Sequence, residues 1–600
     1  MKNFSLIIKL NLICSAIFSV LCLYMHLDIS AVAFPLSAGF TVLLYFASYI
    51  ELVKNKSVRH LNSVRRVFQY EPFVFITAFV IQRSGRFGFP AAFDFLCAFA
   101  WIVILVLSLL AQYFLAEKRI ASLDSGWAEF LKANPYKKPK GIKRVAVEIL
   151  EWIDALFQAV FTIMLLNIFI FQLYEIPSES MVPTFLIKDR VVVFKSLAGP
   201  KFPLSNAGFP YFQKYKRGDI VVFRNPHYGS DRENEVKTFF SQFIYMCSLT
   251  LLKTNTDEHG EIKADPLVKR VTAVPGEQIY MLDGTLYSRT KDSKEFKPVE
   301  QDATWAAWNL NPLSSKIKSK IQTIPLSESQ AESTLKIEEQ RRTLDLNSAK
   351  IECEKLSKEF ARYARPKENS SKSIEEIFSA RDLFVYNLFS NINNETISLL
   401  TVKGGSDWVD SFLNSWHREN NISLQMVGSD AYAESSFRLN VMAKLLFGRI
   451  IVRNASLLAS EIPVSKWQSD SVRMEYLKAA QELCLYILEM DLRNLPVFPA
   501  NDVNGNPQYI PENCYFMMGD NRYNSLDMRH SYEQTLVSIS PMDSMSVTYY
   551  TSLAAQYVNR SRMLGKACFR FWPLNRVGIP KSGLTDLGFI KTLKTAESRS

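Results

Sequence analysis

The chain has 600 residues, 48% of them hydrophobic and 22% charged, with a formal net charge of +11. That length exceeds what one compact core holds, and the apolar residues concentrate in the first 175 positions. Nucleic-acid binding is not expected, because the excess of basic residues is partly accounted for by two loops and no basic stripe carries interleaved aromatics.

Taken in chain order, uncharged apolar runs occur at Leu10–Leu27, Ile29–Ile50, Pro72–Gln82, Phe95–Ala116 and Ala155–Tyr174. About 20 residues suffice to cross a hydrocarbon core of ~30 Å. Five crossings are expected, although Pro72–Gln82 is short enough to suit a re-entrant segment as well. One basic loop holds Lys54, Lys56, Arg59, Arg65 and Arg66; a second holds Lys118, Arg119, Lys132, Lys137, Lys138, Lys140, Lys143 and Arg144. The positive-inside rule puts both in the cytoplasm. An even number of crossings must separate them, so the last run leads outward and everything after Tyr174 lies outside. The first run resembles a secretory signal with Lys2 ahead of its apolar core, but the next run follows so closely that a retained anchor is favoured. Eight cysteines are scattered without a CxxC, and HExxH is absent, so no zinc site is expected and no disulfide can be assigned.

From Ile176 to Tyr287 the pattern is strand-like, with Arg190–Phe194 and Asp219–Phe223 as short β-rich runs and turns at Gly218 and Pro275-Gly276. Phe239–Leu252 is apolar but too short to span; buried core and a segment dipping into the outer leaflet fit it equally. From 311 to 495 the texture is helical. Lys336–Arg365 carries Ile337, Leu344 and Ile351 at seven-residue spacing, which suits a surface helix or short coiled coil ended by Pro366. Ser373 and Glu376 form a capping box ahead of Ile377, Phe378 and Phe384, and Met474–Leu492 is amphipathic. The β texture returns with Cys514–Met518, then a turn-rich stretch over 519–529 and a last strand at Cys568–Trp572; the tail after Pro580 is peripheral.

The expected fold is therefore an α+β membrane protein. It has N-terminal transmembrane helices, a mainly antiparallel β catalytic domain and a large helical insertion. The division is 1–145 and 146–175 for the membrane part, 176–310 and 496–600 for the β domain, and 311–495 for the insertion.

Ser180 stands in Ile176–Thr184, directly after a membrane-length segment. A serine hydroxyl needs a base to accept its proton. Only six histidines are present and no GxSxG elbow occurs. A lysine can serve if burial disfavours its ammonium form. Lys269, in the apolar run Leu267–Val271, suits that role; strand alternation sends it to one face and Arg270 to the other, where it is solvated or paired.

Four blocks then stand in order: Pro177-Ser178-Glu179-Ser180-Met181 with Pro183-Thr184; Arg217–Phe223; Val268–Val271 with Pro275-Gly276; and Gly519-Asp520-Asn521-Arg522 through Asn524-Ser525, Asp527 and Arg529. In these the chain resembles the type I signal peptidases, membrane-bound Ser/Lys proteases that remove signal peptides from exported proteins. The resemblance implies Ser180 as nucleophile and Lys269 as general base. It implies an oxyanion hole from the Ser178 hydroxyl and the Ser180 backbone N–H, with Ser525 orienting Lys269. Asp527, Arg529 and Arg270 would form a structural charge network, and Met181 would line the pockets for Ala at the −1 and −3 positions. No metal or cofactor is implied. The implied partners are preproteins with Ala-x-Ala-type sites and the lipid bilayer, with the export channel a further candidate. The implied location is the cytoplasmic membrane, multi-pass, with the catalytic domain on the periplasmic side. Tyr523 and Met528 depart from the Asp and Ser usual in the family, and Glu179 from a common Gly. The first four runs and the helical region lie outside the resemblance. A processing protease with few clients and a catalytically silent translocation scaffold are the alternatives.

Overall fold

The computed structural model describes residues 2–85, 87–134, 140–228, 231–248, 252, 254–256, 263–367, 374, 383–418 and 430–580. The expected capping box at Ser373 and Glu376, with Ile377 and Phe378, lies outside them, as does the tail after Pro580.

The chain begins with helices α1 (Lys2–Leu21), α2 (Ala33–Leu44, continued as a π-helix over Tyr45–Lys54), α3 (Leu61–Arg83) and α4 (Ala91–Phe114). Short helices α5 (Glu117–Leu123) and α6 (Ser125–Ala133) precede the long α7 (Ile142–Phe169). Among the described residues, four helical stretches, 2–21, 29–54, 91–114 and 142–169, are long and apolar enough to cross a membrane. Two boundaries differ from expectation. Residues 72–82 are the second half of the 23-residue α3, which carries polar groups along its length. The last apolar run is helical only to Phe169, because Phe171–Glu175 pair with Arg190–Phe194 as strands β1 and β2.

The polarity of α3 has a local cause. Glu71 is fully buried and accepts hydrogen bonds from Asn11 Nδ2 (3.0 Å), Ser15 Oγ (2.8 Å) and Ser108 Oγ. Its carboxylate thus ties α1, α3 and α4 together, the use that buried polar groups between apolar helices serve.

The β body contains a seven-stranded antiparallel sheet in the order β1-β2-β13-β3-β4-β9-β12. Its further strands are β3 (Ile220–Phe223), β4 (Leu267–Ala273), β9 (Cys514–Met518), β12 (Val558–Asn559) and β13 (Met563–Trp572). β3 shows why an unbroken apolar run suits a central strand. Val221 and Phe223 face one core with Val271, Phe516 and Met517, while Ile220 and Val222 face another with Val191, Val193 and Phe185. Both faces are covered, so alternation of polar and apolar residues is lost, and each such side chain contributes roughly 1.5–3 kcal/mol by burial. β5 (Glu277–Leu282), β6 (Thr285–Thr290), β7 (Lys297–Pro298) and β8 (Leu495–Phe498) make a smaller sheet, and β10 (His530–Ser538) with β11 (Thr548–Leu553) a hairpin. Phe202 of the β body packs against Trp101 of α4 and Phe169 of α7, with ring centroids 5.6 and 4.9 Å apart. This contact seats the body against α4 and the end of α7.

The stretch from Phe239 proves helical: α8 spans Arg232–Cys247, and Arg232 donates to the backbone carbonyls of Leu204 and Arg83. Residues 249–251 lie outside the described ones.

Helices dominate from 311 to 493, and their core includes Cys353, Phe360, Phe412, Phe447 and Ile487, joined by Ile539, Val547 and Tyr549 from around the β10–β11 hairpin. The heptad expectation fails here. Lys336–Arg365 is two helices, Glu328–Thr343 and Leu346–Tyr363, because Asp345 caps the second by accepting from the N–H groups of Asn347 and Ser348. Ile337 is buried, yet Ile351 is 69% exposed, so the spacing makes no continuous seam. Met474–Leu492 falls within a helix over Ser471–Arg493, as its amphipathic pattern indicates.

Candidate active site

Ser180 sits in a closed turn between β1 and β2. The Ile176 N–H donates to the Asp189 carbonyl and the Lys188 N–H returns to Ile176, both at 2.9 Å. Met181, Val182 and Phe185 are buried beneath it. Ser180 is itself buried, while Ser178 is exposed and donates its hydroxyl to Ser180 Oγ at 3.4 Å.

Lys269 lies on β4, which runs antiparallel to β9 with Arg270 opposite Met518 and Val271 opposite Met517. Arg270 and Met518 are the last pair of that ladder, and Lys269 and Gly519 are the residues next to it. A side chain at Gly519 would collide with the Ser525 hydroxyl and with the Ser180 carbonyl. Gly519 is therefore the point at which the backbone of Ser180, the hydroxyl of Ser525 and the strand carrying Lys269 meet. The absence of a Cβ permits that approach. The Asn521 N–H holds the Ser180 carbonyl at 3.1 Å, and Asn521 Nδ2 holds that of Glu179 at 3.1 Å.

Lys269 is only 3% exposed. Burial pulls its ammonium down to about 8, the nearby Asp527 carboxylate opposing and the Arg529 guanidinium assisting. Among the described residues it makes no ion pair and no hydrogen bond through Nζ. Arg270, which the alternating pattern sends to the other face, pairs with Asp520 at 2.6 Å and donates to the Gly218 carbonyl at 2.9 Å.

The expected charge network divides into two pairs. Asp527 binds Arg529 at 2.9 Å, both side chains fully buried. Burial alone would raise the Asp527 carboxyl, but the Arg529 guanidinium holds it well below the usual carboxylate range. Arg270 belongs instead with Asp520, which also accepts from Thr184 Oγ1 at 2.5 Å. Ser525 donates to Asp527 Oδ2 at 2.8 Å, so its hydroxyl hydrogen is directed to that carboxylate and its lone pairs are left for a donor.

Sequence reading missed Asp520, Asn521 and Thr184 as parts of this frame, although all three lie within the recognised blocks. It also missed Trp305, whose ring stacks 4.9 Å from the Arg270 guanidinium, and Asp302, which pairs with the buried Arg522. Nothing local in the sequence marks those two. Of the departures, Met528 is fully buried in the β core and Tyr523 packs edge-on against Trp308. Glu179 is buried, with its carboxylate turned toward the backbone of Gln322 and Thr323.

A sequence model of the family described as signal peptidase, peptidase S26, matches residues 149–344 and 463–572. The chain belongs to that family. Signal peptidase I of Buchnera aphidicola subsp. Schizaphis graminum is 39% identical over 74 residues, covering 12% of this chain and 24% of that protein. Signal peptidase I of Pseudomonas aeruginosa is 28% identical over 134 residues, 22% of this chain and 46% of that protein. Signal peptidase I P of Bacillus subtilis subsp. natto is 26% identical over 170 residues, 28% of this chain and 66% of that protein. The chain thus spans between about a quarter and two thirds of the length of these curated relatives. The unmatched stretch inside the family region, 345–462, holds much of the helical core.

Proposed function

We propose that this protein is a membrane-anchored serine endopeptidase that removes N-terminal signal peptides from exported preproteins through Ser180 and Lys269. The observation that carries this reading is the convergence at Gly519 of the Ser180 backbone, Ser525 and the strand bearing a buried Lys269 without an ion-pair partner.

In this reading neutral Lys269 accepts the Ser180 proton as Oγ attacks the scissile carbonyl. The tetrahedral oxyanion is held by the Ser180 N–H and the Ser178 hydroxyl, whose present partner is Ser180 Oγ. The lysine then returns the proton to the leaving amine and activates the deacylating water. Ser525, whose hydroxyl hydrogen is directed to Asp527, offers its oxygen as the acceptor that orients Lys269 when the site is engaged. Met181 helps line the small pockets that take Ala-x-Ala sequences.

The apolar helices 2–21, 29–54, 91–114 and 142–169 cross the cytoplasmic membrane in this account, with α3 as the crossing that restores parity between the basic loops. The β body then stands on the periplasmic side, at the level where signal peptides leave the bilayer. Exposed Trp152, Leu156, Phe157 and Ile163 on α7 suit lipid contact. The helical stretch 345–462, absent from the family match, favours a second reading in which the enzyme serves a narrow set of clients.

Purified protein should cut a preprotein with an Ala-x-Ala site after the final Ala, as read by the new N-terminus. Cleavage elsewhere, or the same cleavage by Ser180→Ala, would overturn the assignment.

A further inference from the structure

We infer that Glu179 is a positioning residue, fastening the segment 302–323 against the turn that carries Ser180 so that this segment holds the nucleophile in place. The inference rests on the peptidase reading above.

Its carboxylate accepts from the Gln322 N–H through one oxygen and from the Thr323 N–H at 3.1 Å through the other. Its backbone carbonyl accepts from the Val182 N–H at 3.0 Å and from Asn521 Nδ2 at 3.1 Å. One residue thus joins three pieces of chain: the Ser180 turn, the loop after β9 and the stretch leading into the helical region. That stretch is anchored at its other end too. The Ala307 N–H donates to the Asp520 carbonyl at 2.7 Å, and the Arg522 N–H donates to the Ala307 carbonyl at 3.2 Å. Between these anchors Leu310, Leu313, Ile317 and Ile321 pack on Val182 and Leu186, immediately downstream of Ser180. The segment therefore backs the nucleophile turn along its length.

The carboxylate acts through geometry. The charges that chiefly shift Lys269 are those of Asp527, Arg529 and Asp520. Removal of Glu179 should loosen the turn without retuning the base. Misplacement of a reacting group by about 1 Å costs on the order of 100-fold in rate.

The test uses the full-length, detergent-solubilised protein with Glu179→Ala and Glu179→Gln. Hydrogen exchange at the amides of residues 322 and 323 reads the clamp whether or not the protein cleaves anything. The rate of Ser180 labelling by a serine-reactive phosphonate probe, with kcat and KM on an Ala-x-Ala preprotein, reads the positioning. For Glu179→Ala the expected result is faster exchange at 322 and 323, slower labelling, and kcat lowered roughly 10- to 100-fold with KM and the pH limb unmoved. Glu179→Gln should recover part of both effects, because its amide oxygen still accepts one N–H. Unchanged exchange would overturn the clamp. Faster exchange with unchanged labelling and kcat would reduce it to a tether with no hold on Ser180, and a displaced pH limb would point to charge instead of position. If the native protein cleaves no preprotein, the peptidase reading falls, while exchange and labelling still decide the role of Glu179.

Discussion

Two regions of this molecule each bury a serine, a lysine and an aspartate. In the β body these are Ser180, Lys269 and Asp527, with Ser525 donating to Asp527. In the helical region they are Ser415, Lys444 and Asp543. Lys444 Nζ lies 2.5 Å from Asp543 and donates to Ser415 Oγ at 2.7 Å, while Ser415 donates to the other Asp543 oxygen at 2.6 Å. Asn440 adds a further bond to the same carboxylate at 2.6 Å. There the lysine is ion-paired and hydrogen-bonded, and the cluster joins the helices 405–418 and 431–459 to the loop before β11. In the β body the acidic partner is taken by Arg529, and the lysine is left buried beside it without an ion pair. The same residue types hold a fold together in one place and, on the proposed reading, transfer a proton in the other. Pairing separates the two, not composition.

The contrast can be broken at several points. The largest effect should come from Ser180→Ala or Lys269→Ala, each lowering kcat by at least about 1,000-fold, whereas Ser415→Ala should leave preprotein cleavage nearly intact. Next comes Lys444→Met. Removing one partner of a buried pair costs about 3–5 kcal/mol, and the thermal midpoint should fall accordingly. Lys269→Met should do the opposite and hold or raise the midpoint at neutral pH, since it deletes a cation whose burial is unfavourable. Equal destabilisation by both substitutions would erase the distinction.

Gly519→Ala should follow, with a loss of activity on the order of 100-fold from displacement of Ser525 or Ser180, read with the thermal midpoint to exclude unfolding. The smallest effect is that of pH. Burial holds the Lys269 ammonium down to about 8, so the neutral base is lost as pH falls below that value. Activity should decline by about tenfold per unit below the limb. The same shift gives a sign for stability. The unfolded lysine keeps its proton to a higher pH than the folded one, so the native state gains stability as pH rises from about 8 toward the unfolded value near 10.4.

Much of the site was legible because its parts are local. The blocks at 177–184, 217–223, 268–276 and 519–529 each carry their own turn or strand signal. Other contacts fell outside that reach. That Arg270 would choose Asp520, leaving Asp527 to Arg529, depends on which face of β4 each side chain takes and on the loop after β9. The contacts of Asp302, Gln322 and Thr323 with the site join residues more than 100 positions apart, and that of Trp305 with Arg270 joins residues 35 apart; no pattern in the chain marks them. In the helical region the seven-residue spacing of Ile337, Leu344 and Ile351 misled, because the capping side chain of Asp345 outweighed the periodicity. The apolar run ending at Tyr174 misled in another way: its last residues satisfy a hydropathy criterion equally well as the edge strand β1.

The most direct test places Ser180→Ala and Ser415→Ala beside the native protein on one Ala-x-Ala preprotein, with the cleaved product identified by its N-terminus. The account predicts cleavage by the native protein and by Ser415→Ala, and none by Ser180→Ala. Cleavage retained in Ser180→Ala, or lost in a folded Ser415→Ala, would contradict it.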